Sequence, residues 1–146
     1  MTVCVLIAGA GDAGAVCAID PRVLDTASRR PFIERAIAAR ECLVAVDDNT
    51  VVGYAVFDHS FFEQPFVSLL HVDPQKRRRG IGTELMRHIE SICAAEKLFT
   101  STNASNAPMQ GLCERLGFVR SGRIDNLDEG DPEIVYVKRL HPEKQG

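Results

Sequence analysis

The stretch that most constrains this chain lies near its middle: Leu69-Leu70-His71-Val72-Asp73-Pro74-Gln75-Lys76-Arg77-Arg78-Arg79-Gly80-Ile81-Gly82-Thr83-Glu84-Leu85. A short apolar run rich in strand formers is stopped by Pro74, gives way to a basic turn with two glycines, and then adopts helical spacing. A strand that runs through a tight basic turn into a helix presents unpaired backbone N–H groups and partial positive charge at one point. Gly80 and Gly82 carry no Cβ, so a pyrophosphate can approach the main chain closely. Thr83 adds a hydroxyl donor, and Arg77, Arg78 and Arg79 add charge-assisted bonds to phosphate. Other phosphate loops fit worse. The Lys-Ser/Thr pair of a P-loop is missing, and a dinucleotide fingerprint needs three glycines in a βαβ unit. The ordinary alternative is a helix start beside a solvated basic cluster.

The rest of the chain places this turn in a mixed α/β domain. Residues 3–8 read as a first strand, 12–19 as a short helix closed by Pro21, and 27–40 as a second helix that Ser28 would cap. Residues 42–46 and 51–57 read as strands separated by the tight-turn composition Asp47-Asp48-Asn49-Thr50. Residues 61–65 read as a loop with exposed aromatics, and 66–72 as the next strand. From 80 to 96, Ile81, Leu85, Met86, Ile89 and Cys93 recur at three- and four-residue steps, the pattern of a long amphipathic helix. A strand at 98–101, a helix at 107–116 capped by Gly117, and strands at 118–123 and 133–138 complete the order βααβββαβαββ. The expected architecture is one α/β (α+β) domain over residues 1–140. It has a mixed sheet of six to seven strands, about four flanking helices and a frayed tail at 141–146.

Composition excludes several classes. At 146 residues the chain is sized for one domain with a real core. A net charge of −3 argues against nucleic acid as a main partner. No apolar run approaches the roughly 20 residues that cross a bilayer, and residues 1–8 lack the basic start of a signal peptide. Five cysteines without a CxxC pair point to neither a zinc site nor a disulfide framework. The expectation is a reducing, cytoplasmic setting, with no metal and no membrane.

The pattern Val72-x-Pro74-x-x-Arg77-x-x-Gly80-x-Gly82-x-x-Leu85 resembles the acetyl-CoA-binding signature of the GCN5-related N-acetyltransferases (GNAT). Asn106, followed by Glu114-Arg115-Leu116-Gly117-Phe118, is similar to the family's Asn-containing helix that ends in Gly-Phe. The resemblance spans residues 40 to 140. It implies direct acetyl transfer from acetyl-CoA to an amine of a small molecule or protein, with no covalent enzyme intermediate. The other reading is a module that binds acetyl-CoA without turnover. The resemblance also implies that the strand at 66–72 splays from the one at 98–102, with the pantetheine arm paired to the main chain of His71 and Val72. Arg77, Arg78, Arg79, Gly80, Ile81, Gly82 and Thr83 would hold the pyrophosphate, and Asn106 would contact the pantetheine or phosphate region. Homodimers are common among such relatives.

The catalytic groups are less clearly written. Four positions before Gly117 the family commonly has a tyrosine that protonates the leaving sulfur, and this chain has Cys113. A thiol can serve as an acid, although it is shorter. The ordinary reading is a packed helix cysteine. The neighbouring alanine of the pattern is Met109 here. His71, at the strand end, has the reference pKa of a general base. It reads equally as a satisfied polar residue. Asp58, His59 and Glu63 near the preceding loop, and Ser101 on the facing strand, are further base candidates. Asp125, Asp128, Glu129 and Asp131 form an acidic loop able to attract a cationic amine. Phe61, Phe62 and Phe66, with Pro65, are candidates for an apolar acceptor pocket.

Overall fold

The computed structural model describes residues 2–77 and 79–140. Arg78 of the basic turn and the tail expected to fray at 141–146 lie outside the described residues. Among the described residues seven strands hydrogen-bond in one mixed sheet, β1 (Cys4–Ile7), β2 (Cys42–Asp47), β3 (Thr50–Phe61), β4 (Gln64–Val72), β5 (Lys97–Asn103), β6 (Val119–Ile124) and β7 (Glu133–Arg139). Their order is β1-β2-β3-β4-β5-β7-β6. The helices are α1 (Ala13–Ile19), α2 (Arg22–Asp25), α3 (Arg29–Ala38), α4 (Ile81–Ile92) and α5 (Ala107–Arg115), with 3-10 turns at Ala10–Asp12 and Pro74–Lys76. The chain divides into two compact units, Met1–Phe57 with Leu69–Ile89, and Asp58–Ser68 with Glu90–Gly146.

In the first unit the alternation of β2 and β3 decides which helices cover which face. Antiparallel pairing sets Cys42 against Val56 and Val44 against Tyr54. These side chains pack with Val16, Cys17, Ile33, Ala36 and Ile37 of α1 and α3, and with Leu69 of β4. The opposite face meets α4, whose Ile81, Leu85, Met86 and Ile89 are all buried. Each such side chain contributes about 1.5–3 kcal/mol by leaving water.

The second unit holds the tip of the β3–β4 hairpin, β5, β6, β7 and α5. Among the described residues the parallel β4–β5 ladder comprises Phe66 with Phe99 and Val67 with Thr100. Thr100 Oγ also donates to the Val67 carbonyl (2.9 Å). β7 lies between β5 and β6 and buries Ile134, Val135 and Tyr136, whereas every residue of β6 is exposed.

Four local expectations change. Residues 61–65 are not an extended loop. The strands run on to a two-residue turn, with Phe62 at φ 51 and Glu63 at φ 63. The helix expected to reach residue 96 stops at Ile92, because the Glu96 carbonyl accepts the Leu140 amide (2.7 Å) and Lys97 already pairs with Arg139. Pro21 does not simply end α1 but sits at the N-cap of α2, a helix absent from the sequence reading. Ser28 does occupy the N-cap of α3 but makes no side-chain cap bond.

Candidate active site

The basic turn is built by the end of β4. Beyond Val72 the Asp73 amide donates to the Val52 carbonyl (2.9 Å), which ties the strand end to β3. The Asp73 carboxylate accepts the Gln75 amide (3.0 Å), and Pro74 is pre-set for the 3-10 turn that follows. Arg77 is extended, and Gly80 sits at φ 76, in the left-handed region that a side chain disfavours. The Gly80 carbonyl accepts the Glu84 amide (3.0 Å), the first bond of α4. The amides of Ile81, Gly82 and Thr83 therefore precede the helix's internal acceptors, and among the described residues no main-chain carbonyl takes them. A Cβ at Gly80 would meet nothing within 4 Å, so the main chain there is open. Beside it lies a hollow of about 430 Å³ lined by Thr2, Val3, Arg79, Gly80, Thr83 and Glu84. Among the described residues that line it, Arg79 and Thr83 supply donors and Glu84 is the one acid.

The sequence reading passed over Gly53, which seats this helix. A Cβ at Gly53 would stand 3.0 Å from Ile81 Cγ2, 3.1 Å from the His71 carbonyl oxygen and 3.3 Å from Leu85 Cδ1. Its absence lets the first turn of α4 close down on β3 and the end of β4. The signal was present in the sequence as a lone glycine inside a strand pattern.

His71 is half-buried, and its Nε2 lies 2.8 Å from the Ile19 carbonyl oxygen. A carbonyl only accepts, so Nε2 carries the proton and Nδ1 of the neutral ring holds the lone pair. The ring lies against Tyr54, with centroids 5.9 Å apart. Tyr54 is fully buried and donates its hydroxyl to Asp20, itself only 2% exposed. Asp20 also accepts the Arg22 amide (2.9 Å) and Arg29 Nη1 (3.0 Å). Burial works to raise the Asp20 carboxyl, but the bonds from Tyr54 and Arg22 and the charges of His71 and Arg29 outweigh it and hold it below its ordinary value. Burial and the bond to Asp20 push the Tyr54 phenol up. Asp20, Arg29 and Tyr54 were absent from the sequence-based site, because nothing local marks residues 20, 29 and 54 as neighbours.

Other predicted residues belong to the second unit. Asn106 is the N-cap of α5, and its side-chain oxygen accepts the Met109 amide (3.2 Å). Cys113 is fully buried, and burial, with the charge of Glu114 adding to it, pushes its thiol up to about 12. Ser101 donates to Glu133 (2.7 Å). Asp58 is engaged inside the hairpin, accepting Ser60 and Ser68 hydroxyls (2.7 and 2.8 Å). The acidic loop folds onto the end of β5, where Asp128 accepts Asn103 (2.8 Å) and Asp131 accepts Ser105 Oγ (2.6 Å). Phe61 packs against Phe62, Phe66 and Phe99 at centroid distances of 4.9, 5.1 and 5.3 Å, and Phe62 remains 83% exposed.

Comparison with known proteins bears on the family and the fold. The sequence model of the family described as Acetyltransferase (GNAT) family matches residues 18–118. Mycothiol acetyltransferase of Rhodococcus erythropolis (strain PR4 / NBRC 100887) is 42% identical over 82 residues, covering 52% of this chain and 27% of that protein. The chain thus spans about a quarter of that relative's length. Among solved structures, a GNAT-family acetyltransferase from Bacillus cereus ATCC 10987 superposes with a TM-score of 0.89 at 38% identity, covering 96% of this chain and 99% of that one. The acetyltransferase yncA from Salmonella typhimurium, solved with its cofactor acetyl-CoA, shares the fold with a TM-score of 0.76 at 16% identity, covering 97% and 96%.

Proposed function

The chain belongs to the GNAT acetyltransferase family, and from that premise we propose that it transfers an acetyl group from acetyl-CoA directly to an amine. The observation that carries the reading is the turn before α4, where a left-handed glycine opens the main chain beside a hollow lined by Arg79 and Thr83, with Arg77 on the same turn. Such a corner fits a diphosphate in both charge and shape. Acetyl-CoA supplies, when bound, an acyl group activated as a thioester. The protein's share is to hold it and to manage the proton. Ile81, Gly82 and Thr83 amides, with Arg77 and Arg79, hold the diphosphate. The main chain of His71 and Val72 pairs with the pantetheine arm.

As the C–N bond forms and the C–S bond breaks, the amine nitrogen must shed a proton, and His71 Nδ1 takes it. Solvent supplies the proton for the departing sulfur. Cys113 is assigned to the core, since a fully buried thiol pushed to about 12 is a poor donor. The chain's cysteines, which form no disulfide among the described residues, suit a reducing cytoplasm.

Two measurements test this. Calorimetry with coenzyme A reports binding to the wild type and its loss in Gly82→Trp, whose indole fills the phosphate corner; retained affinity in the variant removes the site. A thiol-release assay with acetyl-CoA and a panel of amines, amino acids, polyamines and peptide N-termini reports turnover. Binding without thiol release on any amine assigns the chain to the non-catalytic class instead.

A further inference from the structure

The polar group buried between α1, α3 and the sheet is not explained by the phosphate turn. A carboxylate at 2% exposure is costly unless its lone pairs are filled, and Asp20 fills them with one hydroxyl, one amide and one guanidinium. All three bonds converge on the residue that ends α1, and the residue before it, Ile19, presents its carbonyl to His71 Nε2 at 2.8 Å. Among the described residues Tyr54 from β3 lies against the imidazole, Asp20 from the α1–α2 turn is coupled to it by charge, and Arg29 from α3 bonds Asp20 and Tyr54. Among the described residues no protein group bonds Nδ1.

We propose that Asp20 is a positioning residue for His71: with Tyr54 and Arg29 it pins the end of α1, so that the Ile19 carbonyl fixes the imidazole as its Nε2–H tautomer and leaves Nδ1 to accept the proton. The inference rests on the acetyl-transfer reading for its chemistry and on this geometry for everything else. The carboxylate does not touch the reacting atoms. Its effect passes through a main-chain carbonyl, as a second layer of hydrogen bonds sets the ring orientation of histidines elsewhere.

The test uses ¹⁵N-detected histidine NMR on the ligand-free full chain, with the His71 signals assigned by His71→Gln, together with kcat, KM and coenzyme A affinity. The wild type is expected to show His71 as the Nε2–H tautomer. Tyr54→Phe removes one hydroxyl and keeps the ring. It is expected to mix the tautomers and to lower kcat about tenfold or more, part of the ~10²–10⁴-fold that a general base supplies, while coenzyme A affinity stays within about twofold. Asp20→Asn is expected to do the same; should it fail to fold, Tyr54→Phe alone decides. An Nδ1–H tautomer in the wild type overturns the proposal. So does a Tyr54→Phe protein with unchanged tautomer and unchanged kcat. If no amine is acetylated by any of the proteins, the acetyl-transfer reading falls separately, and the tautomer measurement still decides the positioning.

Discussion

Asp20 shows at the scale of one residue how burial and partners set a pH dependence. Its carboxyl is held below the ordinary value of 3.8 in the folded chain. Between that value and the lower folded one, the unfolded chain binds more protons than the folded chain. The stability Asp20 confers is therefore complete above about pH 4 and is lost as pH falls through the folded value. Urea unfolding from pH 6 down to pH 2.5 is expected to show wild-type stability falling more steeply below pH 4 than that of Asp20→Asn; parallel curves would mean that the carboxyl gains nothing from its partners. Residues of this kind were the least legible in the sequence. The glycines and arginines of the turn could be read because their chemistry is local and their order fixed. Asp20, Tyr54 and Arg29 are 34 and 25 residues apart in their bonds, and an aspartate between an apolar segment and Pro21 looks like any helix stop. Cys113 is a case of the same kind: its place on α5 is read from spacing, but its burial is a property of the packed unit.

Elements whose periodicity runs unbroken were legible, and those set by a backbone exception were not. The apolar runs of β2 and β3 around a turn composition and the apolar stripe of α4 follow directly from the sequence. The hairpin tip did not, because two-residue turns with positive φ favour Asn-Gly or Asp-Gly, and Phe62-Glu63 gives no such signal. Gly53 is the converse, a lone glycine whose purpose appears only once α4 is packed on β3. Gly53→Ala places a methyl 3.0 Å from Ile81 and 3.1 Å from the His71 carbonyl, so either the start of α4 or the end of β4 must move. Overpacking of this kind costs about 1–3 kcal/mol. For a domain of this size the melting temperature should fall by roughly 2–10 °C, and coenzyme A affinity should fall with it as the first turn of α4 shifts. A melting temperature and an affinity both equal to wild type would show that the contact relaxes elsewhere and that Gly53 does not seat the phosphate turn.

At the scale of the whole molecule, the class was legible but the strand order was only partly so. A strand, a 12-residue helix and another strand imply a crossover, and β4 and β5 are indeed parallel with α4 between them in sequence. That β7 would insert between β5 and β6 is a long-range outcome, yet its reason is visible in composition. Ile134-Val135-Tyr136 buries three successive side chains and so needs neighbours on both sides, whereas Val119-Arg120-Ser121-Gly122-Arg123-Ile124 tolerates a sheet edge. A ligand that engages only the folded state must stabilise the whole cooperative unit by RT ln(1 + [L]/Kd), about 2.7 kcal/mol at a hundredfold excess over Kd. Coenzyme A at that excess is therefore expected to raise the melting temperature by roughly 5–10 °C. Much of the binding is assigned to guanidinium and amide contacts with a diphosphate, so at a fixed coenzyme A concentration the increment should shrink as sodium chloride rises from about 0.05 to 0.5 M, where screening shortens from beyond 10 Å to a few ångströms. Adenosine alone, which lacks the diphosphate, should give little shift at any salt. An increment that is indifferent to salt and reproduced by adenosine would move the binding energy away from the turn at 77–83, and with it the physical basis of the proposed activity.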